Sequence, residues 1–458
     1  MAGMQAQYPD GGHRWIVAIC SAVLSGIGNS IYKCIGQVYV SMLQTTSYTR
    51  SQIASVVILP GVLASVTAIF AVKLAELYSF RFTLFLGSFL FGLGLCLSSL
   101  ATNSLPVFTL TFVILGIGVG CCLTTSNVVV GLYFKEKRSF AMGLVTSLAG
   151  TIAFFMPITI QLFLNEFRLK GALLLWGAVA LHGCVAAMLI RQPTWALQRP
   201  KPKINVNKDE NQKFLESETP NQPNPKRSLS AQICFCFKLV VTQLIRDCRH
   251  FRKFIFSLLL FSRMAFFFTL ISVPLILPQF AMEQIESISV TQSAFLLSVI
   301  SIGDVAAKLL GGWLNNYVLS KHKRTAYLIS KLCIATILLS FQFTHSYPAI
   351  LAVCVFYGLF NGYVFVTYFL IMFDTFGPVD APGGIALHIG LFGVCSVATG
   401  PIMARIRDLT GSYRHCFTLL VLILVASVTL WLGNPVISYI KKKNLATLNA
   451  TTQLQMYL

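Results

Sequence analysis

Near the middle of the apolar run QSAFLLSVISIGDVAAKLLGGW, residues 292–313, Asp304 and Lys308 stand four positions apart. In a helix that spacing puts both side chains on one face, where their charged heads can meet. A charge at mid-bilayer costs at least about 2.5 to 3.5 kcal/mol on insertion scales, so the carboxylate must be paired, protonated or used. Two chemistries are open. Either the residues are a neutralising structural pair, or an anion competes for the ammonium while Asp304 takes up a proton. Three more cations fall inside apolar runs: Lys33, Arg263 and Lys331. Lys33 reads, from the residues alone, as a lysine snorkelling toward the outer interface. Arg263 lies nine residues into its run, about 13 Å of helix rise. It either snorkels toward the nearer face or supplies the planar guanidinium that suits a carboxylate. His182 and His388 also lie in apolar runs and read as hydrogen-bonded packing residues.

The elements that must position these groups follow from composition. The 458 residues are 55% hydrophobic and 11% charged, with a mean hydropathy of +0.73, whereas a soluble domain carries roughly a quarter charged residues. The chain reads as a polytopic membrane protein. Runs of about twenty apolar residues predict twelve spans: 15–40, 51–72, 83–102, 107–132, 139–163, 170–190, 254–280, 293–316, 326–344, 349–373, 384–404 and 416–435. Of the fifteen acids, Asp304 is the only one placed within a span.

The net charge of +20 reflects topology rather than a nucleic-acid face. Twenty-five of the thirty-five basic residues fall on the side of the N-terminus, six on the other side and four in spans, which puts both termini in the cytoplasm. The expected organisation is a cytoplasmic N-terminus at 1–14, a six-helix half at 15–190, a cytoplasmic linker at 191–253, a second six-helix half at 254–435 and a cytoplasmic tail at 436–458. The linker opens with a Pro-, Asn-, Lys- and Glu-rich stretch that cannot bury a core and reads as disordered. It continues as a basic amphipathic segment suited to an anionic inner leaflet, where Cys234 and Cys236 read as interfacial residues. The two halves echo each other, with a short charged turn after the second span of each, as expected of a transporter whose halves rock about a central site. The thirteen cysteines have no metal-ligand spacing, and no nucleotide loop, zincin motif or nucleophile elbow occurs. No enzyme activity, cofactor or metal is therefore expected. The Asn449 sequon lies in the predicted cytoplasmic tail, where it would not be modified.

Four segments, in order, carry a resemblance. PDGGHRW at 9–15 (Asp10, Gly11, Gly12, Trp15) resembles the opening signature of the monocarboxylate porter family of the major facilitator superfamily, with His13 and Arg14 in place of the usual Trp-Gly. YFKEKRSFAMG at 133–143 (Tyr133, Phe134, Arg138, Gly143) is similar to the second signature. SAFLLS and GPIMARIRDLTGSYR resemble further family segments. The resemblance implies the major facilitator fold, all-α, with two pseudo-symmetric six-helix halves. It also implies proton-linked symport or exchange of short monocarboxylates such as lactate and pyruvate at the plasma membrane. The alternative within the family is an uncoupled carrier of a larger amino-acid-like or zwitterionic solute, such as an aromatic amino acid, thyroid hormone, creatine or carnitine. Outside it, the competing class is a non-transporting receptor or scaffold. Members typically carry Asp-x-x-x-Arg in span 8, the acid titrating and the cation holding the carboxylate, and here Lys308 takes the arginine's place. Lys33 falls where proton-coupled members carry a lysine, and Phe369 where the family has a pocket aromatic. The implied partners are a small organic anion, a proton, the lipid bilayer and a single-span immunoglobulin-type glycoprotein; no nucleic acid is implied.

Overall fold

The computed structural model describes residues 12–46, 48–102, 104–191, 254–285 and 288–431. The linker, the amphipathic segment with Cys234 and Cys236, the tail with Asn449, and Asp10 and Gly11 lie outside them. Among the described residues the regular elements are all α-helices: α1 His13–Thr45, α2 Arg50–Leu77, α3 Phe80–Leu100, α4 Leu105–Tyr133, α5 Arg138–Leu189, α6 Phe254–Gln284, α7 Val290–Tyr317, α8 Lys323–Phe341, α9 Tyr347–Thr410 and α10 Arg414–Trp431. An apolar bilayer offers no partner for a bare backbone, so each crossing closes its hydrogen bonds internally. The outward faces carry large apolar side chains such as Ile58, Leu110, Val185, Ile302 and Leu422, all exposed.

Two helices are too long for one crossing. At 1.5 Å per residue the 52 residues of α5 would reach about 78 Å, against a hydrocarbon core of about 30 Å. α5 breaks at Arg168, whose φ is 54° and ψ −173°, and its second part returns antiparallel along α3, with Gly92 against Gly177 and Ser88 against Gly183. The 64-residue α9 breaks in the same way at Gly377, φ 74°, a value that glycine adopts without steric cost. With both breaks counted, the described residues make twelve crossings, as expected. The expected loops at 164–169 and 374–383 are corrected to single-residue breaks, because tertiary packing sets where each helix stops. Arg405 and Arg407, expected in an outer loop, are helical, since α9 runs on to a left-handed Gly411 cap.

The internal repeat shows in capping. Thr49 accepts from the Gln52 amide while Gln52 reaches back to the Thr49 amide, opening α2. Ser289 and Gln292 make the same reciprocal pair at the start of α7. These are capping boxes, one before the second crossing of each half. In the first half α1 packs chiefly on α5, and α3 on α5 and α4; in the second half α7 packs chiefly on α9. Between halves, α5 packs on α7 and α2 on α9.

Some inter-half contacts lie mid-helix, such as Ser65 against Gly393, and others lie on the face that carries the N-terminal end of α1 and the basic α4–α5 and α7–α8 turns, called here the basic face. A Cβ on Gly143 would lie 2.6 Å from the Lys308 carbonyl, and Gly312 lies against Gly143. Gly131 lies against the Phe373 ring, and the Arg138 guanidinium sits 4.9 Å from that ring's centroid. A cleft bounded by Lys135, Arg138, Asn315, Lys323 and Asp374 belongs to this junction rather than to the charged centre. On the opposite face, links within a half include Arg407 to Glu283 at 3.3 Å, Arg414 to Gln284 at 2.7 Å, and Gln37 to Gln161 at 3.3 Å.

Candidate functional site

Asp304 and Lys308 meet. Lys308 Nζ donates to Asp304 Oδ2 at 2.5 Å, and Asp304 Oδ1 accepts from Asn361 Nδ2 at 3.0 Å. Small residues make this possible, because α9 lies so close to α7 that a Cβ on Gly362 would reach the Asp304 carbonyl. From the first half, Ser147 Oγ donates to the Val305 carbonyl at 2.9 Å, so α5 closes on the other side. The pair is not sealed: the Lys308 and Asp304 side chains are 12% and 17% exposed. Lys33, on α1, is exposed and lies within the electrostatic reach of both Asp304 and Lys308. It therefore faces the gap between the halves.

Arg263 does not snorkel. It is 1% exposed, and its guanidinium is enclosed by Phe266, Phe267, Phe365, Tyr368 and Phe369 at 4.0 to 5.4 Å, distances at which a cation is held by ring faces. The Phe365 ring is shared: Lys308 Nζ lies 4.8 Å from its centroid and Arg263 Cζ 4.9 Å. The two cations are thus no farther apart than the sum of those distances. Phe369 is buried beside Arg263, and it is Phe365, not Phe369, that touches Lys308.

Lys331 is fully buried without a carboxylate. Its ammonium donates to the Ser262 carbonyl at 2.8 Å, Ser262 Oγ at 2.7 Å and Ser427 Oγ at 2.8 Å. Three donors find three acceptors, which ties α6, α8 and α10 together behind Arg263. His182 is exposed and bonds the Ala178 carbonyl. His388, expected to be hydrogen-bonded, is not so among the described residues: its ring stacks on Phe256 at 5.2 Å, and neither ring nitrogen has a partner there.

The two signatures meet each other on the basic face. Trp15 packs on Phe134 and Phe140 at 5.1 and 5.9 Å. Arg14 Nη1 donates to the Tyr133 carbonyl at 3.1 Å, and Tyr133 Oη donates to the Arg191 carbonyl at 2.6 Å. Arg138 Nε donates to the Phe134 carbonyl at 2.9 Å, and Gly12 begins α1 with φ 66°. These residues brace the closed side and do not line the charged centre.

The sequence reading missed Asn361, Phe365 and Tyr357, whose buried hydroxyl has no partner among the described residues and lies in the field of Asp304. A usable signal was present, since Asn361 is a polar residue flanked by Gly358 and Gly362 in an apolar run, the pattern of a close helix contact with a polar link.

Comparison with known proteins accords with this architecture. The Major Facilitator Superfamily pattern matches residues 15–387. Monocarboxylate transporter 12 of Mus musculus is 23% identical over 415 residues, covering 90% of this chain and 84% of the relative. Monocarboxylate transporter 2 of Meriones unguiculatus is 25% identical over 443 residues, covering 93% and 85%. Among solved structures, the transporter FucP in the outward conformation superposes with a TM-score of 0.67 at 16% identity, covering 92% of this chain and 98% of that one. The human organic anion transporter MFSD10 gives 0.64 at 14%, covering 91% and 98%. The chain belongs to the Major Facilitator Superfamily, and the two relatives that it resembles over nine-tenths of its length are monocarboxylate transporters. It is an integral, multi-pass membrane transporter.

Proposed function

We propose that this transporter carries small monocarboxylates of the lactate and pyruvate kind together with a proton, by alternating access, in the plasma membrane. The observation that carries the reading is the Asp304–Lys308 pair, bonded at 2.5 Å yet partly exposed, with Lys33 facing it. When Asp304 is ionised, it occupies the Lys308 ammonium. A proton on Asp304 removes that competitor, and a carboxylate takes the cation's place, helped by Lys33. Arg263, with Phe369 beside it, is the next cation the anion meets beyond Phe365. Loss of both cargo and proton restores the internal pair, so the carrier reorients with the same net charge at its centre in either case. Lysine in place of arginine offers a point charge rather than a two-pronged fork, so carboxylate geometry is held less tightly.

Both termini and the 191–253 linker lie in the cytoplasm on this reading, so the closed basic face is the inner one and the carrier is poised toward the outside. The family resemblance adds a single-span immunoglobulin-type glycoprotein as an ancillary subunit. Expression at the surface of cells lacking such a glycoprotein would remove it.

One arrangement favours a second reading, an uncoupled carrier of an aromatic or zwitterionic solute: Phe365, Tyr368 and Phe369 cluster around Arg263, and Phe365 also touches Lys308, the partner of a carboxylate suited to a cargo ammonium. A competition assay separates the two. Radiolabelled lactate uptake into proteoliposomes is measured at two pH values against unlabelled pyruvate, aromatic amino acid, creatine and carnitine. Inhibition by pyruvate alone, with faster uptake from the acidic side, supports the monocarboxylate reading. Inhibition by the amino-acid-like solutes without pH dependence supports the other. Absence of saturable uptake of any of these solutes would favour the receptor or scaffold class.

A further inference from the structure

Along one face of α9, Asn361, Phe365, Phe369 and Phe373 follow at four-residue steps, about 18 Å in all. Asn361 bonds Asp304. Phe365 carries both Lys308 and Arg263. Phe373 lies against Gly131 and Arg138, where the halves close. Arg263, level with Phe365 and Phe369, therefore stands between the charged centre and the closed basic face.

It does not stand alone. Its Cζ lies 4.0 Å from the centroid of the Tyr368 ring, and the His388 ring lies 5.4 Å from the same ring and in the field of Arg263. All three residues are 1% exposed. Arg263 Nε and Nη1, Tyr368 Oη and both His388 nitrogens have no hydrogen-bond partner among the described residues. Buried polar groups are ordinarily paired, and nearby Lys331 shows that this half can satisfy a buried cation fully when its role is to hold helices together. Arg263 and Tyr368 are donors, and a neutral imidazole adds one N–H. A cluster so rich in donors calls for an acceptor, and a carboxylate is the acceptor that matches a guanidinium.

We infer that Arg263, Tyr368 and His388 form a second carboxylate subsite, closed in this conformation, which the cargo occupies between the Asp304–Lys308 centre and the basic face. The inference rests on the anion-transport reading for its role, but binding at the cluster can be tested without flux. Lys308 to one side and the gate at Phe373 to the other make it a station on the inner path: as the basic side opens, the anion leaves the lysine for a guanidinium one ring away.

The test is thermal unfolding of the purified full chain in detergent, with sodium acetate titrated against sodium chloride at equal ionic strength. In a Lys308→Gln background, which weakens the central cation, acetate should still raise the unfolding temperature. Adding Tyr368→Phe, which removes only a hydroxyl, should raise the half-saturating acetate concentration roughly tenfold. His388→Phe, which keeps the stack on Phe256, should do the same. The inference is overturned if Lys308→Gln shows no acetate-dependent rise, or if half-saturation is the same with and without the Tyr368 hydroxyl. Failure of the transport reading is distinguishable: wild-type proteoliposomes would then lack acid-driven lactate uptake while the acetate titration kept its dependence on Tyr368 and His388.

Discussion

At the residue scale, the centre works because one carboxylate serves two partners. Lys308 holds Oδ2 and Asn361 holds Oδ1, so the Asp304 side chain is fixed while its charge remains within reach of the gap. Asn361→Leu leaves Oδ1 without its donor, and the loss of a hydrogen bond to a charged, partly buried carboxylate costs about 1.5 to 3 kcal/mol at most. Initial lactate uptake should fall roughly tenfold or more, and Asn361→Gln, which keeps the amide, should retain a measurable part of it. Uptake equal to wild type in Asn361→Leu would remove Asn361 from the site. Asp304 and Lys308 were legible in the sequence because a charge in an apolar run must be accounted for. Asn361 carried a weaker signal, a polar residue between Gly358 and Gly362, and Phe365 carried none, because its role depends on which face of α9 meets α7. The cage around Arg263 was hidden among thirty-six phenylalanines, where no local pattern separates a ring that holds a cation from one that only packs.

At the element scale, small residues decide how close the helices come, and so which side is shut. Gly143, the glycine of the second signature, sits where a Cβ would lie 2.6 Å from the Lys308 carbonyl and 2.7 Å from Gly312 Cα. Both are backbone atoms that cannot rotate away. Gly143→Val should therefore push α5 from α7 on the basic side, at a cost of about 1 to 3 kcal/mol to the closed arrangement. Ser139, buried against Gly312, reports this: a cysteine there (Ser139→Cys) should be labelled several-fold faster from the basic side when Gly143→Val is present. An unchanged labelling rate would show that this contact does not set the closure. The twelve crossings were readable from apolar run length, since the bilayer imposes it. The single-residue turns were not. Gly377 is at least a residue type suited to φ 74°, but Arg168 adopts φ 54° with no local signal, held there by the packing of the two arms of α5 against α1 and α3.

At the scale of the whole molecule, two similar halves meet on the basic face, and the charged centre lies deeper between them, where Ser147 of α5 bonds the Val305 carbonyl. On the proposed topology, which follows the distribution of Lys and Arg, this face is cytoplasmic. Epitope tags at either terminus should be undetectable on intact cells and appear on permeabilisation, while a tag in the turn at 411–413 should be detected without it. The reverse pattern would invert the topology and turn an outward-poised carrier into an inward-poised one. The central claim is that a proton on Asp304 releases Lys308 for the anion, and the most direct test compares wild type with Asp304→Asn. Both are reconstituted at matched orientation, and lactate uptake is followed with the outside acidified and then with equal pH on both sides. The account predicts that wild type accumulates lactate above equilibrium only under the pH gradient, and that Asp304→Asn never does. Accumulation by Asp304→Asn under the gradient would contradict it.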